Sequence, residues 1–405
     1  MSLTKTRIFS ALKSFEAFVF SLALALRLAF LGVWVWRGVR DTYGQDPYFE
    51  LAKHWLGWRG WPGMDATHPP FYTMFIAAVL WCAHSPSPLT VQVLQCVLSS
   101  VTCLLIGALG TRLAGERVGR VAALWAAVDL PMIFFTPQLQ TETFFIFLEI
   151  VFFCWLYRRL SLRGENAGET YALGFFGGLA GLCRSAFAAY PMFFALTLFK
   201  MRRPRGELLF LALFCAGWAS PIAVWTARNW KLYHRVIPIS AQMGWNLYEG
   251  FTLDRQAVHD NPFLMADEMK RLGITDPMDS SEYYKKKTLL FFREHPMRSA
   301  QIVAGKALLY WRPWVYDPYT TAQRALITVY FSFLFAMALV CVWVNRRAPG
   351  DWWPLYGVML YFTATHSVFE TFLRYRLPLE PFLCILGAGG LVFVWDKLCG
   401  RGRGV

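Results

Sequence analysis

The sequence predicts an all-α polytopic membrane protein of roughly 10–11 transmembrane helices, some of them short or broken. Three observations predict it. Hydrophobic residues make up 56% of the 405 residues and charged residues only 16%, against roughly 25% charged in a soluble domain. A mean hydropathy of +0.36, with 18 Trp and 35 Phe, exceeds what a water-soluble core of this size can hide. Apolar runs recur along the whole chain at lengths near that of a bilayer crossing. The composition excludes disorder, collagen-like repeats and a nucleic-acid-binding module. The net charge of +14, which would suggest nucleic acid in a soluble protein, here records an excess of Lys and Arg in cytoplasmic loops.

The runs follow in order. Phe15 to Trp36 is long enough to span and lacks a small-residue cleavage site, so it is an anchor and not a signal peptide. Further runs lie near 71–84, 89–111, 121–136, 138–157, 171–199, 208–226, 325–344, 352–369 and 379–395. The run 71–84 is expected to be short or re-entrant. The run 171–199 is expected to cross twice, as half-helices meeting near Arg184. The nine cysteines fall in apolar stretches or the basic tail with no CxxC pair, and read as small packing residues, not a disulfide framework.

Charge sets the orientation. The short stretches 1–14, 111–120, 158–170, 200–207, 345–351 and 397–405 hold 18 basic and 5 acidic residues, and the positive-inside rule puts them in the cytoplasm. The stretch 37–67 is balanced, with four of each sign, and faces outward; parity places 227–320 on the same side. The chain then divides into a transmembrane module 1–226 containing the first outer loop 37–67, an extracytoplasmic region 227–320, and C-terminal helices with a basic tail over 321–405. Asp46, His68, Glu142, Arg184, Arg228, Arg374 and Arg376 all fall at the outer ends of helices.

Each of these groups has a structural and a chemical reading. Asp46 precedes Pro47 and suits a helix cap, or a carboxylate at the bilayer surface that takes a proton from an incoming hydroxyl or amine. His68, before Pro69-Pro70, is an interface anchor, an anion contact when protonated, or a joint ligand with Asp46 and Glu142 for a divalent metal. Arg27, Glu142, Glu149 and Arg184 sit in or beside apolar runs, where a charge costs about 3 kcal/mol or more and marks a functional candidate. Arg27 also suits snorkelling from a helix end. A fixed guanidinium at Arg184 matches a phosphate bidentately. Arg228 ends a transmembrane run, and Gly244-Trp245-Asn246 reads as a tight turn presenting an aromatic platform, or as part of an interfacial aromatic belt. Arg374-Tyr375-Arg376 is a candidate lipid-phosphate site, or a headgroup anchor.

Taken in order, Asp46-Pro47-Tyr48 with Ala52, His68-Pro69-Pro70, Gln140-Thr141-Glu142, Gly181 to Arg184, Arg228-Asn229, Pro238 to Gly250 and Arg374 to Pro381 resemble the polytopic GT-C glycosyltransferases that use polyprenyl-phosphate sugars. The nearest branch is the one containing protein O-mannosyltransferases and the lipid A aminoarabinose transferase. The resemblance spans about 15–395 and implies a GT-C-like bundle with amphipathic helices in the extracytoplasmic loops, seated in a bacterial inner membrane. It makes Asp46 the catalytic base. It makes Arg184, Arg228, Arg374, Arg376 and His68 contacts of the donor phosphate. Tyr48, Glu142, Trp245, Asn246 and Tyr375 are then substrate contacts. Many relatives have Lys where this chain has His68.

The chemistry fits the residues. A sugar–phospholipid already carries a good leaving group, arginines stabilise the departing phosphate, and an opposed carboxylate favours attack with inversion. The expected partners are a polyprenyl-phosphate sugar, an extracytoplasmic acceptor and the bilayer. No cofactor is required, a divalent metal is compatible, and no GxxxxGK[ST] phosphate loop is present. A transporter or lipid flippase is the alternative; it calls for an internal repeat and charges near mid-membrane. A non-catalytic lipid-binding factor would keep the arginines and tolerate loss of Asp46.

Overall fold

A computed structural model describes residues 2–38, 47–57, 66–162, 166–200, 207–251, 264–314, 320–347 and 349–400. Asp46 lies outside the described residues. Among those described, the chain is helical throughout with no strand: α1 (Ser2–Trp36), α2 (Pro47–Trp55), α3 (Pro70–Ala83), α4 (Pro88–Ala114), α5 (Glu116–Val128), α6 (Leu130–Phe135), α7 (Thr141–Ser161), α8 (Ala167–Cys183) and α9 (Tyr190–Lys200). They continue as α10 (Glu207–Tyr233), α11 (Met243–Phe251), α12 (Leu264–Leu272), α13 (Pro277–Glu294), α14 (Pro296–Tyr310), α15 (Thr321–Asn345), α16 (Trp353–Val368) and α17 (Glu380–Leu398). The molecule is an all-α polytopic membrane protein. Five described segments are long and apolar enough to cross a bilayer: Ser14–Trp36, Pro88–Ala114, Leu208–Tyr233, Thr321–Asn345 and Arg374–Leu398. Helices α3, α5, α7, α8, α9 and α16 are shorter or carry charged residues.

The breaks have local causes. The sequence reads 121–136 as one run, but the structure divides it at Asp129. There α5 stops, and the Asp129 side chain accepts from the Met132 backbone N–H to cap α6, with Pro131 in its first turn. A break inside a bundle leaves backbone groups to be satisfied, and Arg27 of α1 does this. Its Nη1 donates to the Ala127 carbonyl (3.0 Å) and its Nη2 to that of Ala126 (3.2 Å), closing the end of α5. The remaining donors reach Ser99 Oγ, the Ala23 carbonyl and Cys103 Sγ. Arg27 is fully buried, so it does not snorkel.

The run 171–199 breaks at Arg184, as expected: α8 ends at Cys183, a 3-10 turn covers Ser185–Phe187, and α9 starts at Tyr190. Helix α8 packs most extensively on α10. The contact is backbone on backbone: a Cβ at Gly174 would lie 2.1 Å from the Phe214 carbonyl oxygen, one at Gly178 2.3 Å from that of Trp218, and one at Gly217 2.1 Å from that of Tyr171. Small residues four apart allow this approach between membrane helices.

The main core cluster runs through α1 to α10 and α14 to α17 and is rich in Phe, and a small second cluster joins Leu182, Trp225 and Ile239. The stretch 227–320 folds back onto the bundle at several places. Asn229 Nδ2 and Trp225 Nε1 donate to the carbonyls of Ile237 and Ile239, both at 2.8 Å. Trp311, just after α14, donates from Nε1 to Thr363 Oγ1 (3.2 Å) and packs edge-on against Phe335, so it is inserted between α15 and α16. The described cysteines are all free.

Candidate active site

Helix α7 begins with Glu142 in its first turn and ends with Arg158 and Arg159. The end of the bundle carrying Glu142 is therefore opposite the basic stretch 158–170. At this end Glu142 Oε1 accepts from two arginines far apart in sequence. Arg184 Nη1, just after α8, donates at 3.1 Å, and Arg374 Nε, in the 3-10 turn Leu373–Leu379 before α17, also donates to it. Glu142 is 1% exposed, and its second oxygen has no hydrogen-bond partner among the described residues. Two guanidinium groups thus converge on one buried carboxylate, an arrangement that can also hold another anion in its place.

Aromatic side chains line the cluster. The Tyr375 ring lies 5.6 Å from the Arg184 guanidinium and 6.0 Å from that of Arg374, and stacks on His366 at 4.9 Å. Arg184 also faces Phe145 at 5.9 Å. Tyr48 of α2 is brought in by edge contacts with His68 and Tyr72, both at 5.3 Å, and Tyr72 is fixed by its hydroxyl on Gln95 Oε1 (2.7 Å). Burial pushes the Tyr48 hydroxyl well above its ordinary value, and the nearby charge of Arg374 partly offsets this. Tyr48 is two residues from Asp46, which itself lies outside the described residues.

His68 joins two loops. Its Nδ1 lies 2.8 Å from Thr67 Oγ1 and its Nε2 3.2 Å from the Gln242 amide nitrogen, beside a backbone bond from Ala241 N–H to the Ala66 carbonyl (2.8 Å). Among the described residues no three His, Cys, Asp or Glu side chains converge as metal ligands.

The structure places two sequence candidates, Arg376 and the 244–246 segment, differently. Arg376, expected beside Arg374, is fully buried between Phe331 and Phe335 (4.1 and 4.9 Å), with its Nη1 on the carbonyls of Tyr310 and Arg312 and its Nε 3.7 Å from Glu380. The 3-10 turn sends residues two apart in different directions, so Arg376 faces the interior. Arg228 stays at the end of α10, over Trp225 (4.7 Å) and Tyr233 (5.6 Å), and donates to Asn229 Oδ1. The Gly244-Trp245-Asn246 segment is helix α11, not a tight turn. Gly244 is there for close approach, since a Cβ would lie 1.7 Å from the Ser281 carbonyl oxygen. Trp245 Nε1 donates to Ser280 Oγ (3.0 Å), which fastens α11 to α13. Asn246 is half-buried on the same helix.

Sequence reasoning missed Asp129, whose second carboxylate oxygen accepts from the Tyr330 hydroxyl. It also left Glu149 without a role. Glu149 lies two turns below Glu142 on the same face of α7, fully buried, with neither oxygen hydrogen-bonded among the described residues. An acidic residue inside an apolar run was the available signal for both.

Residues 67–225, short of half the chain, match the model of the dolichyl-phosphate-mannose-protein mannosyltransferase family. That stretch holds His68, Glu142 and Arg184. The fold is similar to the archaeal oligosaccharyltransferase AglB from Archaeoglobus fulgidus in complex with an inhibitory peptide and a dolichol-phosphate, with a TM-score of 0.59 and 15% identity over 97% of this chain and 53% of that one. The apo form of the Archaeoglobus fulgidus oligosaccharyltransferase gives 0.58 and 16% over 95% and 51%; its complex with Zn and sulfate gives 0.57 and 15% over 95% and 50%. The chain spans about half the length of these solved structures. No curated protein matches the sequence. The fold is similar to that of these oligosaccharyltransferases over nearly the whole chain. Residues 67–225 resemble the dolichyl-phosphate-mannose-protein mannosyltransferases.

Proposed function

We propose that this chain is a membrane glycosyltransferase. It moves one sugar from a polyprenyl-phosphate donor to an acceptor on the extracytoplasmic face of a bacterial inner membrane, with inversion. The observation that carries this is the sharing of Glu142 by Arg184 and Arg374 at the end of the bundle opposite the basic stretch 158–170. The family model over 67–225, described by its dolichyl-phosphate-mannose donor, supports a lipid-phosphate sugar.

In this reading the donor phosphate displaces Glu142 and is held by Arg184 and Arg374, the fork geometry for which arginine is suited. His68 and Arg228 are candidates for further contacts to the lipid phosphate, and Tyr48, Tyr375, Trp245 and Asn246 for contacts to sugar or acceptor. Arg376 is left out, because its guanidinium is enclosed by Glu380 and two Phe rings. Asp46 takes the proton of the acceptor hydroxyl or amine. The acceptor atom bonds to the anomeric carbon from the face opposite the phosphate. The bond from that carbon to the phosphate oxygen breaks, its electron pair leaves with the polyprenyl phosphate, and the two guanidinium groups stabilise the charge.

The test begins with mass spectrometry of envelope lipids, glycans and proteins from cells with and without the chain, which identifies the glycosylated product. Asp46→Asn should then cut transfer to that product by at least ~100-fold, the scale of a general base, with binding of polyprenyl phosphate unchanged. Transfer near the wild-type rate removes Asp46 from the mechanism. Identical products in both strains refute the transferase reading.

A further inference from the structure

Gln92, Gln95, Gln138 and Gln140 are all buried at the end of the bundle that carries Glu142, and three of them are anchored. Gln92 and Gln95 donate from Nε2 to the carbonyls of Pro137 and Thr136, both at 2.8 Å, and Gln138 donates to that of Phe134 at 3.2 Å. Gln140 is different. It stands at the N-cap of α7, yet its side chain caps nothing. It is 6% exposed, and its amide makes no hydrogen bond among the described residues, the buried Oε1 included. Buried polar groups are nearly always paired, because leaving one bare is costly.

Two more bare acceptors occur at this end. Glu142 follows two residues later, within about 7 Å along the chain, and its second oxygen has no partner among the described residues. His366, 4% exposed, stacks on Tyr375 at 4.9 Å, the ring that lies against the guanidinium groups of Arg184 and Arg374. Its Nδ1 faces the Glu370 carbonyl oxygen at 3.1 Å. That nitrogen therefore carries the hydrogen, and in the neutral ring Nε2 is left as an acceptor. Nε2 is buried and also unpartnered among the described residues.

Gln140 Oε1, Glu142 Oε2 and His366 Nε2 all require hydrogens. The phosphodiester of a lipid-phosphate sugar has none to give, since its free oxygens are acceptors and belong with the two arginines. The hydrogen-bearing part of such a donor is its sugar. We propose that these three atoms mark a subsite for the hydroxyl groups of the transferred sugar, beside the arginine pair, with Gln140 as the residue that selects among sugars. The assignment rests on the donor reading above and deepens it. An amide presents an acceptor and two donors, so Gln140 takes a hydrogen from one hydroxyl and gives one to its neighbour on the ring. A site built on such bonds rejects a sugar whose hydroxyl points elsewhere, because the buried amide is then bare again.

The experiment compares the full-length wild type in nanodiscs with Gln140→Met, which keeps the length of the side chain without its hydrogen-bonding groups. Binding is measured for undecaprenyl methyl phosphate, a phosphodiester without a sugar, and for undecaprenyl phosphate carrying mannose, glucose, galactose or arabinose. Melting temperature is measured without ligand. The wild type should bind one glycosylated lipid at least ~10-fold more tightly than the methyl ester. Gln140→Met should lose about tenfold on that lipid, the weight of one or two hydrogen bonds. It should hold the methyl ester unchanged and melt no lower than the wild type. A lower melting temperature makes the amide part of the fold, and equal losses on both lipids make it a phosphate contact; either overturns the proposal. So do unchanged affinities in the variant, or a wild type that binds methyl ester and glycosylated lipids alike. Absence of binding to every lipid instead sinks the donor reading, and the sugar subsite with it. Should Gln140→Met not fold, His366→Phe, which keeps the ring stack and removes Nε2, enters the same binding comparison with the same outcomes.

Discussion

Arg27 and Arg374 are both arginines in an apolar chain, and the structure employs them in opposite ways. Arg27 lies inside the span Ser14–Trp36, and each of its three nitrogens donates to a fixed acceptor, including the two carbonyls that end α5. Arg374 shares a carboxylate with Arg184 at the rim, and the other oxygen of that carboxylate accepts nothing among the described residues. The first arrangement is closed: no ligand can take a place already filled by backbone. The second has an exchangeable partner. Burial alone therefore does not separate the two arginines; the identity of their acceptors does.

The largest effect should come from the closed site. Arg27→Leu leaves the two carbonyls that end α5 without their donor, a loss of about 1–3 kcal/mol for each orphaned buried group. Folded yield on size exclusion should collapse, and a well-folded variant melting like the wild type would break the comparison. At the rim, Arg374→Ala and Arg184→Ala should still fold yet lose on the order of 100-fold in transfer, the scale of one lost charge-stabilising donor; unchanged transfer in both would remove the clamp. The smallest effect should follow joint replacement of Arg376 with Met and Glu380 with Leu. Substituting a buried ion pair with apolar residues is often neutral, so a stability change within about 1 kcal/mol and unaltered affinity for polyprenyl phosphate are expected. A large fall in that affinity would return Arg376 to the donor site.

Much of this was legible in the sequence. Composition alone implies membrane helices, and a 29-residue run with one central arginine implies a break at Arg184, where the structure has it. Glu142 stood out as an acid at the edge of an apolar run. Arg184 and Arg374 stood out as well, but not as its partners, because Arg374 lies 232 residues away and only tertiary packing brings it back. The choice between Arg374 and Arg376 was equally hidden: the two are separated by one residue, and the 3-10 turn that parts them contains Pro378, which sequence spacing does not convert into a direction. Asp129 was missed because an apolar count runs through it without a gap.

The glycine contact of α8 with α10 has one more consequence. Arg184 is the residue immediately after α8, so its position is inherited from how closely that helix lies on its neighbour. An added methyl at Gly178 would force two main chains apart, carry the guanidinium away from its carboxylate, and leave every ionisable group in the sequence intact. Screens that alter only polar residues would overlook the positions where a hydrogen atom, through its smallness, decides where charge is held.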